Sequence, residues 1–314
     1  MVAHELRPVE GVDVTIIVDN FIDVLMAGSE DVHRYLVQDL GDRDQLMAEH
    51  GFSALVTVRA GTDRYSILYD AGLTPVALAR NLAVLDVPVK ELRAIVISHG
   101  HADHHGGLEG LFRRHGTARL PLVIHPEAWR ERKVVFPTGT EVRLPAPSRG
   151  DLEREGLQLM EERSETLLLD GSILVSGQVE RVTPFEKGFP VHYAKSNGGW
   201  EPDPMIWDDQ NVIVNVEGKG LVIVSGCSHA GAVNVVRNAQ RLTGERRIAG
   251  FVGGLHLTGR LFETIIDDTV EALTAAQIGR LLPAHCSGWK AVHALARRMP
   301  ESFVQPAVGT VVSF

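Results

Sequence analysis

Along the chain, short runs of β-branched and aliphatic residues alternate with stretches whose apolar positions recur every three or four residues. Residues 12–18, 54–58 and 66–69 carry the first kind of pattern and read as strands, the last ending at Asp70-Ala71-Gly72. A helix fits 75–85, with Pro75 in its first turn and Val76, Leu78, Ala79 and Leu82 on one face. Residues 94–98 form a short buried strand that runs into a histidine cluster, followed by a helix over 107–115 and a strand over 120–124. Strands at 211–216 and 221–225 are joined by Glu217-Gly218-Lys219-Gly220, a hairpin connection. Beyond them come a helix (229–242), a strand (248–252), a helix (261–276), a strand (278–282), a helix (287–298) and a closing strand (311–314). Strands dominate both halves with helices interleaved. That rhythm points to two sheets packed together with helices outside, rather than one doubly wound sheet.

The stretch from 126 to 210 breaks this rhythm. It holds Pro137, Pro145, Pro147, Pro184, Pro190, Pro202 and Pro204, interleaved with Phe185, Phe189, Tyr193, Trp200 and Trp207. It reads as an elaborated loop region with a few strands of its own, either a lid or binding loop or a surface insertion without function. The 314 residues would allow two domains, but the chain is read as one domain, 1–314, carrying this insertion.

Composition narrows the function. The chain is 44% hydrophobic and 23% charged, and no apolar run approaches the roughly 20 residues that span a bilayer. Its opening, Met1-Val2-Ala3-His4-Glu5-Leu6-Arg7-Pro8, lacks the apolar core and cleavage site of a signal peptide, so a cytoplasmic location is expected and no membrane partner. A net charge of −9 would repel a nucleic-acid backbone, and no Lys/Arg block offsets it; a small anionic substrate remains open because a local pocket can oppose the global sign. Two cysteines, Cys227 and Cys286, exclude a disulfide framework. Whether the chain forms a homo-oligomer is left open.

The chemistry concentrates in Ser98-His99-Gly100-His101-Ala102-Asp103-His104-His105-Gly106-Gly107. Imidazole nitrogen and carboxylate oxygen together suit zinc first, with manganese or iron as alternatives. Alternation puts His99 and His101 on one side of an extended segment, and the following turn brings Asp103 and His104 to the same point. Gly100 and Ala102 leave room for the crowding. Three further histidines, His229, His256 and His285, each follow an apolar strand and a few small residues, where a fixed backbone meets a free loop.

The HxHxDH motif at His99, His101, Asp103 and His104, with the later strand-end histidines, resembles the metallo-β-lactamase superfamily. The resemblance covers nearly the whole chain. It implies an αββα four-layer sandwich in the α/β (α+β) class, with the metal site at one sheet edge. Within it, Val18-Asp19-Asn20, Glu49-His50-Gly51-Phe52-Ser53, Asp208-Asp209-Gln210, Gly226-Cys227-Ser228-His229, Gly253-Gly254-Leu255-His256 and His285-Cys286-Ser287-Gly288 resemble the dihydropterin-ribofuranosylaminobenzene phosphate synthase branch. Carried over by motif, His99, His101 and His229 would hold one metal, and Asp103, His104 and His285 a second. Asp70 matches the strand-end aspartate that supports the site from behind the ligands. In most hydrolytic members an aspartate bridges the two metals where this chain has His256. An imidazole lone pair cannot join two cations, so the second metal is expected to be weaker, or His256 to bind one metal without bridging or to act as a hydrogen-bond partner. Cys227 and Cys286 are expected to fill space behind the ligands, with thiolate ligation or redox chemistry as the alternative.

A metal held mostly by histidine lowers the pKa of bound water from about 15.7 to about 7. The expected reaction is hydrolysis of a small phosphorylated substrate by metal-activated water, with one or two divalent ions bound. Asp103 serves there as ligand and proton acceptor, and Asp70 belongs to the same catalytic machinery. Lys187, His192 and Lys195 are candidates for an anionic group, and Tyr193 or Trp200 for stacking on a flat ring such as a pterin. Two other readings stand beside this one: a pterin-linked synthase, which the branch resemblance implies, and a metal-binding redox or sensing protein.

Overall fold

The alternating segments pair into three sheets in the computed structural model, which describes residues 6–37, 39–41, 45–115 and 119–314. Met1 to Glu5, part of the N-terminal reading, lie outside the described residues. The largest sheet has eight strands in the order Val32–His33, Val311–Ser313, Gly11–Val18, Ser53–Ala60, Asp63–Tyr69, Leu92–Val96, Pro121–Ile124 and Gln158–Glu161. The second has six, in the order Thr166–Leu168, Ile173–Val175, Asn211–Val216, Gly220–Ser225, Ile248–Gly254 and Arg280–Ala284.

The period of two along these strands builds the layers. Val212, Val214, Val222 and Val224 point inward and meet Val12, Val14, Val56 and Val58 of the larger sheet in one buried core. The residues between them, Ile213, Leu221 and Ile223, point outward and pack under Val233 and Val236 of helix Ala232–Thr243, Leu273 of helix Ile266–Ala275 and Leu295 of helix Trp289–Arg298. On the far side, Leu68, Ile95 and Leu122 carry Leu78 and Leu82 of helix Pro75–Val84 and Leu111 of helix Leu108–His115. The result is the αββα sandwich, one apolar core per interface.

The first helix starts as its sequence specifies. Thr74 Oγ1 accepts from the Ala77 amide and Pro75 occupies the first turn. The helix expected at 229–242 begins only at Ala232, and that expected at 261–276 only at Ile266 after a short 3₁₀ turn, Glu263–Ile265. The segment from 126 to 210 carries seven short strands among its loops. Arg132–Val135, Glu141–Leu144, His192–Ser196 and Gly199–Pro202 make a four-stranded sheet of their own. The rest of the segment adds edge strands to both large sheets, Gln158–Glu161 to one and Thr166–Leu168 and Ile173–Val175 to the other. Glu141–Leu144 buries no residue, so it carries little alternation for a sequence reading to detect.

Strand direction places the site. Asp63–Tyr69 runs parallel to Leu92–Val96, and Gly220–Ser225, Ile248–Gly254 and Arg280–Ala284 run parallel to one another. Their C-terminal ends lead into Asp70, His99, His229, His256 and His285. No helix among the described residues is long and apolar enough to cross a membrane.

Candidate metal centre

At these strand ends the backbone turns sharply: Asp70, Ser228, His256 and His285 all have left-handed φ values, between 46° and 58°. Such strain in non-glycine residues marks loops whose geometry the surroundings impose. His99, His101 and His229 converge. His99 Nε2 lies 3.0 Å from His101 Nδ1 and 3.1 Å from His229 Nε2, and the last two are 3.2 Å apart. Three nitrogens at the corners of one triangle cannot all be satisfied by each other's protons. Tetrahedral bonds of 2.0–2.1 Å to one zinc ion would set them about 3.3 Å apart. Burial lowers the pKa of all three imidazoles, which keeps them neutral with lone pairs available.

Hydrogen bonds settle which nitrogen faces the centre. Ser98 Oγ lies 2.8 Å from His99 Nδ1 and donates to Asp70 Oδ2 at 2.7 Å, so it accepts from His99 and leaves Nε2 free. Asp70 also accepts from the Ser98 amide at 2.7 Å and from His104 Nδ1 at 2.6 Å, with both side chains wholly buried. His101 turns its other nitrogen, Nε2, to His192 Nε2 at 2.9 Å, while His192 Nδ1 donates to the Asp203 carbonyl at 2.9 Å. That relay fixes both tautomers: His192 accepts from His101, whose Nδ1 then carries the lone pair. Burial pulls the His192 pKa down to about 4.

The second group gathers around Asp103. Its Oδ2 is 3.2 Å from His285 Nε2, 3.5 Å from His50 Nε2 and 3.9 Å from His104 Nε2. Burial would raise the Asp103 pKa, but the neighbouring His104 and His285 overcome it and hold the carboxyl well below its usual range. Burial likewise opposes charge on His104, yet Asp70 and Asp103 outweigh it and lift its pKa to about 9. His285 is held at both ends. Its amide donates to Asp19 Oδ1 at 2.7 Å, its carbonyl accepts from Asn20 Nδ2 at 3.0 Å, and its Nδ1 faces Asn20 Oδ1 at 3.3 Å. With Nδ1 turned to Asn20, its Nε2 is the nitrogen that faces Asp103 and the space beside Cys227 and His104, where a cation would find it. The residues present therefore fit a divalent metal ion.

Several groups to which the sequence reading assigned no role hold this frame. Asp208 accepts from the Gly100 amide at 2.7 Å and pairs with buried Arg132 through both oxygens, at 2.6 and 3.0 Å. A Cβ at Gly100 would collide with the Ala128 carbonyl oxygen and the Arg132 guanidinium. Asp209 accepts from the Ala230 amide at 2.9 Å, steadying the loop of His229; burial lifts its pKa to about 6. Glu186 accepts from the Val233 and Asn234 amides, capping the helix that follows. Acidic residues in an Asp-Asp-Gln run were visible in the sequence, but their partners lie far along the chain.

Cys227 stands among the donor atoms rather than behind them: its Sγ is 3.2 Å from His104 Nε2 and groups with His99 and His229 as well as with His104 and His285. His256 packs against His229, ring centres 4.3 Å apart, and neither of its ring nitrogens has a hydrogen-bond partner.

The candidates for substrate contact separate by strand face. Lys187 lines an open cavity of about 360 Å³ beside His229 and His256, with Phe185, Leu257, Leu261 and Phe262. His192 lies buried behind His101. Tyr193 and Lys195 point to the opposite face of strand His192–Ser196, and Trp200 pairs directly with Lys195. There Lys195 is engaged by Glu131 at 2.8 Å, and Lys133 covers the Trp200 ring. None of these three lines the cavity.

The family model described as the metallo-beta-lactamase superfamily matches residues 48–239. The chain belongs to this superfamily. A curated relative within reach of it is the 7,8-dihydropterin-6-methyl-4-(beta-D-ribofuranosyl)-aminobenzene-5'-phosphate synthase of Methanocaldococcus jannaschii, 28% identical over 280 residues, or 87% of this chain and 93% of the relative. Among solved structures of the fold, Tm1679, a metal-dependent hydrolase of the beta-lactamase superfamily, is similar with a TM-score of 0.71 at 23% identity, covering 96% of this chain and 98% of the other. A diphosphatase from the PhnP family follows the same fold with a TM-score of 0.51 at 13% identity, each chain covered to 97%. The metallo-β-lactamase fold implies divalent metal binding, in keeping with the donor groups described above.

Proposed function

We propose that this chain is a metal-dependent hydrolase of a small phosphorylated substrate, its centre holding one or two divalent cations. The observation that carries the reading is the convergence of the His99, His101 and His229 nitrogens within 3.0 to 3.2 Å, at the edge of a cavity that His229 itself lines. These three residues would hold one cation; Asp103, His104 and His285 would hold the other. A bound cation supplies Lewis acidity and makes water acidic enough to serve as nucleophile near neutral pH. In this reading Asp103 Oδ2 would accept a proton from water bound at the centre. His50 Nε2, 3.5 Å from that oxygen on a side chain 63% exposed, can pass it to solvent. Asp70, Ser98 and His192 keep the imidazoles in the tautomers that ligation requires. Lys187 offers a cation for a phosphoryl group, and the walls formed by Phe185 and Phe262 suit a flat apolar body.

A second reading is favoured by one observation: the archaeal synthase aligns over 87% of this chain. In that reading the same cavity takes a pterin and a ribofuranosylaminobenzene phosphate and couples them. One experiment separates the two. The metal-loaded protein is given a panel of phosphoesters, and in parallel the pterin and ribosyl-phosphate pair, with products read by mass spectrometry. Metal-dependent phosphoester cleavage that His101→Ala abolishes supports the hydrolase. A coupled product that needs both substrates supports the synthase, and no metal-dependent turnover in either arm refutes both.

A further inference from the structure

The position between the two donor groups is filled by sulfur. Cys227 Sγ belongs both to the cluster with His99 and His229 and to the cluster with His104 and His285, every ligand atom within 4.8 Å of the others in its cluster. We propose that the Cys227 thiolate is a metal ligand shared by both groups, standing between the cations where many superfamily members place a carboxylate; this rests on the metal-centre reading above.

Three observations carry it. His104 Nδ1 is committed to Asp70, which leaves Nε2, 3.2 Å from Cys227 Sγ, as the nitrogen that would face a cation once its proton is displaced. Tetrahedral zinc with bonds of 2.3 Å to sulfur and 2.0–2.1 Å to nitrogen would set those two atoms about 3.5 Å apart. Next, His285 Nε2, on a fully buried side chain, belongs to the same cluster and lies 3.2 Å from Asp103 Oδ2. Last, the residue at the chain position of the missing carboxylate does not take its place. Among the described residues His256 groups with Cys227 and Cys286, and its ring lies against His229 and Phe262.

The chemistry suits the position. A thiolate carries a full negative charge and several lone pairs on one atom, so it can join two cations as a carboxylate does and a neutral imidazole cannot. The loop presents it rigidly: the Gly226 amide donates to Tyr69 Oη at 2.9 Å and Ser228 Oγ donates to the Gly254 carbonyl at 2.6 Å. Cys286, with Sγ 3.3 Å from that of Cys227, is placed to donate its S–H to the thiolate. On ligation the Cys227 S–H bond breaks, its electron pair stays on sulfur for the metal, and the proton leaves to solvent. A soft sulfur donor also shifts preference toward zinc and away from manganese.

The test uses cobalt(II) in place of the native ion. The metal-stripped full-length protein is titrated with cobalt, and absorption is followed in the near ultraviolet, where sulfur-to-cobalt charge transfer appears. The expected result is such a band in the wild type and in Cys286→Ser, and its loss in Cys227→Ser. Bound cobalt without the band, or an unchanged band in Cys227→Ser, overturns the proposal while leaving the metal centre intact. No cobalt binding at all refutes the metal centre and the thiolate with it. Because Cys227→Ser alters a buried loop, X-ray absorption on the zinc-loaded wild type gives a second reading that needs no variant. A sulfur scatterer at about 2.3 Å is expected, and a first shell of only nitrogen and oxygen overturns the assignment.

Discussion

Replacing Arg132 by Met tests whether the His99-Gly100-His101 segment is held from behind. Arg132 is 1% exposed, and its guanidinium meets both oxygens of Asp208, which is wholly buried and also accepts from the Gly100 amide. Removing the cation leaves a buried carboxylate with one backbone donor, a change that costs about 3–5 kcal/mol when a buried pair is broken from one side. An unfolding entropy of about 2.1 cal/mol/K per residue, over 314 residues, converts this to a fall in Tm on the order of 5–8 °C. The assay is thermal unfolding of the metal-free protein by circular dichroism, followed by competitive metal titration of the same sample. Arg132→Met/Asp208→Leu is the control. It removes this pair together and should recover part of the stability, with Asp203 left without the Arg132 cation 3.4 Å away, but the Gly100 amide then lacks an acceptor, at a cost of about 1–3 kcal/mol. Metal affinity should therefore stay depressed in the double variant. Wild-type stability in Arg132→Met, or wild-type metal affinity in the double variant, would refute the reasoning.

Asp70→Asn keeps the shape but weakens the acceptor shared by Ser98 and His104; metal affinity should drop about 10- to 100-fold by calorimetry, and an unchanged affinity would show that tautomer locking is dispensable. Gly100→Ala forces a methyl group against the Ala128 carbonyl, a rigid neighbour, so a destabilisation of about 1–3 kcal/mol is expected in denaturant titration. His192 gives a pH prediction. Its folded pKa is near 4 against an ordinary 6.5, so the unfolded chain takes up a proton first as pH falls. Stability is then complete above 6.5 and lost progressively down to about 4, by roughly 3 kcal/mol from this group. In metal-free His192→Gln the acid side of the stability profile should be shallower by about that amount, and an unaltered slope would remove His192 as its source.

The candidate ligand residues could be picked out one after another because ligation selects side-chain types locally. An HxHxDH run and histidines at the ends of apolar strands need no knowledge of the partner segments, and valine runs with period two announce a sheet with two distinct faces. Two packed sheets with helices outside followed from the rhythm of strands and helices, and strands such as Asn211–Val216 and Gly220–Ser225 are indeed buried on both faces. What holds the ligands in place was not legible in this way. Asp208 reaches Gly100 across more than a hundred residues, Asp19 and Asn20 reach His285 from the opposite end of the chain, and Ser98 works only because Asp70 lies one parallel strand away. The loop from 126 to 210 shows the limit most plainly. Pleat parity turns His192 toward His101 and sends Tyr193, Lys195 and Trp200 to the other face. The position of Cys227 between two donor groups depends on the register of three parallel strands. Contacts of this kind are decided by which segments pair and which face each presents, and those are properties of the folded chain as a whole.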